Sequence, residues 1–177
     1  MSGKPVWLLD VDGVVNATRA GWSAAPHSGE VFAQGVWWKF RWAPPLVAFI
    51  RDTVERGRAE VRWATTWIPH TRELEALFSL PKLPTAFSEP TDGGFPNGKL
   101  QAALAVVEQE HRPLIWTDDD AIPPLGPFRS RLDQAPRGSL LIAPKPNRGL
   151  RPEHVQQIDA FLTVFASESP DLKDRDS

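Results

Sequence analysis

The stretch Leu8-Leu9-Asp10-Val11-Asp12-Gly13-Val14-Val15-Asn16 decides how the rest of the chain is read. With Val6 and Trp7 ahead of it, an apolar run stops abruptly at Asp10. A buried parallel strand behaves this way where its carboxyl end meets a loop. Two carboxylates two residues apart at such a place are costly unless something cationic binds them. One of them can ligate a metal and attack as a nucleophile, and its neighbour can exchange a proton. Gly13 lets the chain turn sharply away. Taken alone, Asp-x-Asp-Gly also suits a plain turn after a strand.

Working outward, strands and helices alternate. Val31-Phe32 and Val36–Trp42, arranged around Gly35, read as a hairpin or flap within residues 16–43. Pro44-Pro45 open a helix that runs to about Arg56 and stops at Gly57, with Leu46, Val47, Phe49, Ile50 and Val54 as its apolar stripe. Glu60–Ala64 reads as a second strand, His70–Ser79 as a short helix and Thr85–Phe87 as a third strand. Asn97 suits the N-cap of a helix from Gly98 to about Glu110. Leu114–Thr117 and Leu140–Ala143 complete five strands, and Pro152 starts a last helix with Val155, Ile158, Leu162 and Phe165 inward. The pattern predicts an α/β fold with a parallel sheet between two helical layers. Residues 1–166 form one expected domain, and residues 167–177 an expected polar tail.

Three more polar clusters fall at the places where such sheets bind ligands, beyond the carboxyl ends of strands. Thr65 and Thr66 follow Arg62-Trp63-Ala64, where a hydroxyl and exposed backbone N–H groups suit a phosphate oxygen. Lys99 follows Asn97-Gly98 in a first helical turn, a position that the helix dipole disfavours for a cation. Taken by itself, a solvated surface lysine is the readier account of it. Asp118-Asp119-Asp120 follow Ile115-Trp116-Thr117 and repel one another unless a divalent cation or a helix N-terminus offsets their charge. Mg²⁺ suits such a set, since it takes oxygen ligands octahedrally from one or two carboxylates, water and substrate phosphate.

The order Asp-x-Asp-Gly, Thr, Lys, Asp-Asp resembles the haloacid dehalogenase-like (HAD) phosphohydrolase superfamily, from Val6 to about Asp120. Asp10-Val11-Asp12-Gly13-Val14 is the specific part of the likeness. The resemblance implies a Rossmann-like sandwich whose strands, counted along the chain, lie in the order 5-4-1-2-3. It implies an Mg²⁺-dependent phosphatase in which Asp10 forms an aspartyl-phosphate and Asp12 is general acid/base. Thr65, or Thr66 beside it, then binds phosphate, and Lys99 stabilises the phosphoryl oxygens. Asp10, Asp118 and Asp119 hold the metal together with the backbone carbonyl of Asp12, and Asp120 is a bystander. The alternative is a non-catalytic Mg²⁺- and phosphate-binding or signalling module with the same acidic pocket. With only a flap between the first strand and first helix, the chain looks capless or minimally capped. It also resembles, more loosely, the HAD domains associated with RNA-repair proteins.

Composition narrows the alternatives. There is no Cys among 177 residues, which excludes a thiolate metal site or a cysteine nucleophile. The 18 Pro and 12 Gly stay below the share, about 25–30%, that marks a disordered chain. No apolar run approaches the ~20 residues of a membrane span, so a soluble, cytoplasmic protein is expected. His27, His70, His111 and His154 show no ligand spacing. Net charge is −2, yet Arg129, Arg131, Arg137, Lys145, Arg148 and Arg151 make a local basic stretch. Trp22, Trp37, Trp38 and Trp42 in the flap, interleaved with Lys39 and Arg41, suit stacking on bases and gripping of phosphates. They suit packing against the sheet or a second copy as well. The expected partner is a phosphorylated small molecule or polymer end, a nucleotide or nucleic-acid end included.

Overall fold

The computed structural model describes residues 3–88 and 94–166. Four parallel strands, β1 (Val6–Leu9), β4 (Glu60–Trp63), β5 (Leu114–Thr117) and β6 (Ser139–Ile142), form one sheet in the order β4-β1-β5-β6. An antiparallel hairpin, β2 (His27–Ala33) and β3 (Val36–Trp42), stands apart from it. The helices are α1 (Pro44–Glu55), α2 (Thr71–Phe78), α3 (Gly94–Glu108), α4 (Pro127–Asp133) and α5 (Pro152–Ala166).

β1 is buried along its whole length because it is paired on both sides, to β4 and to β5. Its side chains alternate between two layers, as the period of two requires. Trp7 and Leu9 join the cluster built with α1, α5 and the hairpin through Leu46, Ile50, Ile158, Leu162 and Phe40. Val6 and Leu8 join the opposite cluster, with Ala103, Leu104 and Val107 of α3 and Leu132 of α4. This is the three-layer sandwich expected, and the four strands keep the expected order.

The strand count differs. The segment expected as a third strand is reduced to one parallel bridge, Trp63 to Thr85, flanked by hydrogen bonds from Trp63 N–H to Pro84 O (2.9 Å) and from Ala86 N–H to Trp63 O (2.8 Å). Pro81 and Pro84 can donate nothing to a ladder, so pairing cannot extend upstream. α3 begins at Gly94, a turn earlier than expected, so Asn97 lies inside the helix rather than capping it. Pro96 is tolerated there because the first turn has no intrahelical acceptors for its N–H groups. Lys99 therefore sits in the second turn. α4 was not anticipated at all: seven residues with one buried apolar side chain, Leu132, carry almost no periodic signal. The expected tail, 167–177, lies outside the described residues. Among the described residues no helix is long and apolar enough to cross a membrane.

Candidate active site at the carboxyl ends of the strands

Asp10 and Asp118 are each the first residue beyond adjacent strands, β1 and β5. The Asp10 N–H donates to Thr117 O (3.1 Å), and the Asp118 N–H donates to Ile142 O (3.2 Å). The two carboxyl groups thereby emerge side by side, both nearly inaccessible. Lys99 reaches between them from α3: its Nζ lies 2.6 Å from Asp10 Oδ2 and 2.8 Å from Asp118 Oδ2. Residues far apart in the chain thus meet because β1 and β5 are neighbours and α3 covers one face of that pair.

Each carboxylate is also held by its own backbone. Asp10 Oδ1 accepts the Val11 N–H at 2.7 Å. Asp118 Oδ1 accepts the N–H groups of Asp120 (3.1 Å) and Ala121 (2.8 Å), which curls the acidic loop around it. Asp118 Oδ2 is buried with no aligned hydrogen bond, only the ion pair with Lys99. Oxygen atoms from Asp10, Asp118, Asp119 and Asp120 all lie within 4.8 Å of one another. Gly13 makes room for this: its φ is +70°, and a Cβ there would collide with the Asp119 carboxylate.

Four acids around one ammonium leave negative charge uncompensated. Burial, then the charge of Asp118, pushes the Asp10 carboxyl up to about 7 against the pull of Lys99 and Val11. Asp119 is raised by burial and by Asp120 and Asp118. Asp120 is raised by burial and by its contact with Asp118. Burial alone would lower the Lys99 ammonium, but Asp10 and Asp118 outweigh it and hold it raised, so it stays charged. A hard divalent cation fits this set, because the donors are all oxygens, four of them from separate carboxylates lie within 4.8 Å of one another, and the charge is of the right sign.

Asp12 stands apart from this group. Its side chain is exposed and turned toward the hairpin side. Oδ1 accepts Asn16 Nδ2–H (2.7 Å) and Oδ2 accepts Trp67 Nε1–H (2.8 Å). Both donors are themselves fixed by the hairpin: Asn16 Oδ1 accepts the Arg41 N–H (2.9 Å), and the Trp67 ring meets Trp38 and Phe40 edge-on at 5.6 and 5.1 Å. Of the carboxylates expected at a metal, the structure brings Asp10, Asp118 and Asp119 together. The Asp12 carboxylate, expected as acid/base with only its backbone carbonyl at the metal, lies outside the group. Asp120, expected as a bystander, is within the group. Thr65 is buried beside the Asp10–Val11 turn, since Trp63 pairs with Leu9 and Ala64 N–H donates to Leu9 O. Its hydroxyl accepts the Trp67 N–H at 3.3 Å, while Thr66 is exposed.

Asn16 and Trp67 are the residues that reasoning from the sequence missed. Asn16 ends the diagnostic stretch and Trp67 follows the two threonines, but nothing in their spacing announces that both converge on Asp12. The basic stretch also reads differently in three dimensions. Arg131 pairs bidentately with Glu108 at the far end of α3, and Arg129 pairs with Asp133. The Arg131 guanidinium is thereby held away from the acids, because Glu108 lies more than two turns of helix beyond Lys99.

A parallel sheet with this ordered set of acids, hydroxyl and lysine at its carboxyl edge defines a HAD-like domain, a class whose role is of the phosphohydrolase type. Residues 6–155 match the family model described as the HAD domain in Swiss Army Knife RNA repair proteins, and the chain belongs to that family. No curated protein and no solved structure matches it.

Proposed function

We propose that the protein is an Mg²⁺-dependent phosphatase acting on phosphomonoesters, with a phosphorylated nucleic-acid end as its substrate, in keeping with a family named for RNA repair. The observation that carries this reading is the Lys99 ammonium held between the buried carboxylates of Asp10 and Asp118 at 2.6 and 2.8 Å. Asp10, Asp118, Asp119 and Asp120 are the side chains to hold the metal, which when bound supplies positive charge to offset the substrate phosphate.

The steps then belong to the chain's own residues. An Asp10 carboxylate oxygen attacks phosphorus, and the P–O bond to the leaving oxygen breaks. That oxygen takes a proton from Asp12, which sits two residues along and faces outward, where a leaving group departs. Water next attacks the aspartyl-phosphate, gives a proton to Asp12, and the acyl–phosphate bond breaks to regenerate Asp10. Lys99 balances the charge on the phosphoryl oxygens throughout, and Thr65 with nearby backbone N–H groups orients them. Thr66, exposed next to it, is the second hydroxyl on offer.

A non-catalytic phosphate-binding module would keep Asp10, Lys99 and Asp118 but has no use for an exposed carboxylate clamped by two donors. Asp12 therefore favours hydrolysis. The test is turnover of p-nitrophenyl phosphate and of phosphorylated oligonucleotides by the purified protein. Activity is expected with Mg²⁺, and its loss on EDTA treatment and in Asp10→Asn. Activity surviving both would overturn the mechanism, and phosphate binding without turnover would favour the non-catalytic module.

A further inference from the structure

An open cleft of about 400 Å³ adjoins the acidic site at Gly13 and is lined by Asp12, Asn16 and Thr18 together with Lys39 and Arg41 of the hairpin. Pro146, from the loop after β6, lines it as well. That loop is pinned in place: Leu150 N–H donates to Val14 O (2.8 Å), Arg19 N–H donates to Asn147 O (2.9 Å), and a Cβ on Gly149 would collide with Val14 O. The cleft does not stop at Arg41. A second hollow of about 310 Å³ shares Lys39 and Arg41 and continues along Ser28, Gly29 and Glu30.

The hairpin register explains why these residues share one face. Arg41 pairs with Ser28, Lys39 with Glu30 and Trp37 with Phe32, so the alternation of a strand lines them all up outward. Phe40 and Trp42, in the alternate positions, are buried against α2 and the sheet. The outward face therefore runs from Asp12 through two cations, about 7 Å apart along the strand, to the Trp37 and Phe32 rings at the tip. Those rings are 66% and 54% exposed and 5.3 Å apart. The Arg41 guanidinium has no ion-pair partner among the described residues. Among the described residues Lys39 pairs with Glu30, at 3.9 Å, and both side chains are largely exposed, so this pair is weak.

We infer that the outer face of the β2–β3 hairpin is a track for a single nucleic-acid strand, with Arg41 and Lys39 on phosphates and Trp37 with Phe32 on a base. The inference rests on the phosphatase reading, because Asp12 identifies the side from which the leaving group departs. A leaving group that lies in a cleft with two cations is itself anionic, as the remainder of a polynucleotide is after its terminal phosphate. Cations followed by an exposed aromatic pair are the combination that grips such strands without reading their sequence.

The experiment measures binding, with Mg²⁺ present, to the Asp10→Asn protein by oligoribonucleotides of one to four residues carrying a 3′- or a 5′-terminal phosphate. Affinity is expected to rise with length up to the reach of Trp37 and to fall with added salt. Arg41→Ala is expected to flatten the salt dependence by about one phosphate contact. Trp37→Ala is expected to weaken the longer ligands by about tenfold. The Arg41 substitution spares the backbone N–H that holds Asn16, and Trp37 is mostly outside the fold. Arg56→Ala, on α1, serves as a control that keeps the length dependence. Affinity independent of length, or a length dependence untouched by these variants, overturns the track. A dimer that dissociates in Trp37→Ala, with no length dependence, overturns it in favour of a second copy of the chain. Length-dependent binding to oligonucleotides that the wild-type protein never dephosphorylates would sink the phosphatase reading alone.

Discussion

Asp10 is placed where a carboxylate does not want to be. It is buried, it faces Asp118, and its compensation is one backbone N–H and one ammonium shared with that neighbour. Such groups serve chemistry at the expense of stability. Its carboxyl is raised from 3.8 to about 7, so the metal-free native state holds a proton that the unfolded chain has given up. The stabilisation from Asp10 is therefore fully present below about pH 4 and is lost as pH climbs toward 7. Asp119 and Asp120, also raised, act in the same direction. Urea denaturation in EDTA between pH 4.5 and 7.5 should show stability declining by up to a few kcal/mol. Asp10→Asn should remove a substantial part of that decline and be the more stable protein at pH 7.5. A wild-type profile that is flat or rises across this range would contradict the assignment.

Among elements, the hairpin is the one whose role exceeds its position. It touches the Asp12 carboxylate only through intermediaries, Asn16 by hydrogen bond to the Arg41 backbone and Trp67 by ring contact with Trp38 and Phe40. In the proposed mechanism Trp67 is a positioning residue, and Trp67→Phe keeps an aromatic ring beside Trp38 and Phe40 while removing the N–H that reaches Asp12. General acid catalysis matters most when the leaving oxygen is a poor one. Trp67→Phe should cost alkyl phosphates about tenfold or more in kcat. It should cost p-nitrophenyl phosphate, whose leaving group needs little protonation, much less, with KM little changed for either. Equal losses on both substrates would mean that Trp67 has only a structural part.

How legible the elements were follows from what signals each of them. β1 and β5 are four-residue apolar runs that end at an aspartate and are buried along their whole length, so they stand out. β4 and β6, half-buried at the flanks of the sheet, are marked by their alternation with helices instead. Thr85 looked like a strand residue, but Pro81 and Pro84 limited it to a bridge. The start of α3 was misplaced because Asn97 and Gly98 look like a cap, whereas Phe95 packing on Phe87 at 6.4 Å carries the helix a turn further back. At the site, Asp10 and Asp118 could be found because each abruptly ends an apolar strand, and Lys99 because the helix dipole disfavours a cation near a helix start. Asn16, Trp67 and the orientation of Asp12 depend on contacts between segments that no local pattern encodes.

Across the whole molecule, charge is sorted between the two ends of the sheet. At the amino ends of the strands, Arg62 and Arg112 bind Glu60 and Glu110 at 2.7–3.1 Å. These contacts outweigh partial burial and hold Glu60 low, and they hold Glu110 low as well. At the carboxyl ends the acids outnumber Lys99, and Asp10, Asp119 and Asp120 are raised instead. A divalent cation should therefore act as a structural as well as a chemical partner. Saturating Mg²⁺ is expected to raise Tm at pH 8, by an amount equivalent to about 2.7 kcal/mol at a hundredfold excess over Kd. The rise should be smaller at pH 5, where protons compete for the same oxygens, and EDTA should reverse it. A Tm that ignores Mg²⁺ at pH 8 would mean that the four acids are not a metal site.

The shared fastening of Asn16 and Trp67 has an evolutionary consequence. A ribbon over an open site would ordinarily be the easiest part to redesign for new ligands, leaving the reaction centre alone. Here a redraft that replaces Trp38 or Phe40, or that moves the backbone at residue 41, also shifts the two props beneath the proposed proton donor. Lineages that diversify more than the outward side chains must therefore re-fit the props in step or forfeit turnover.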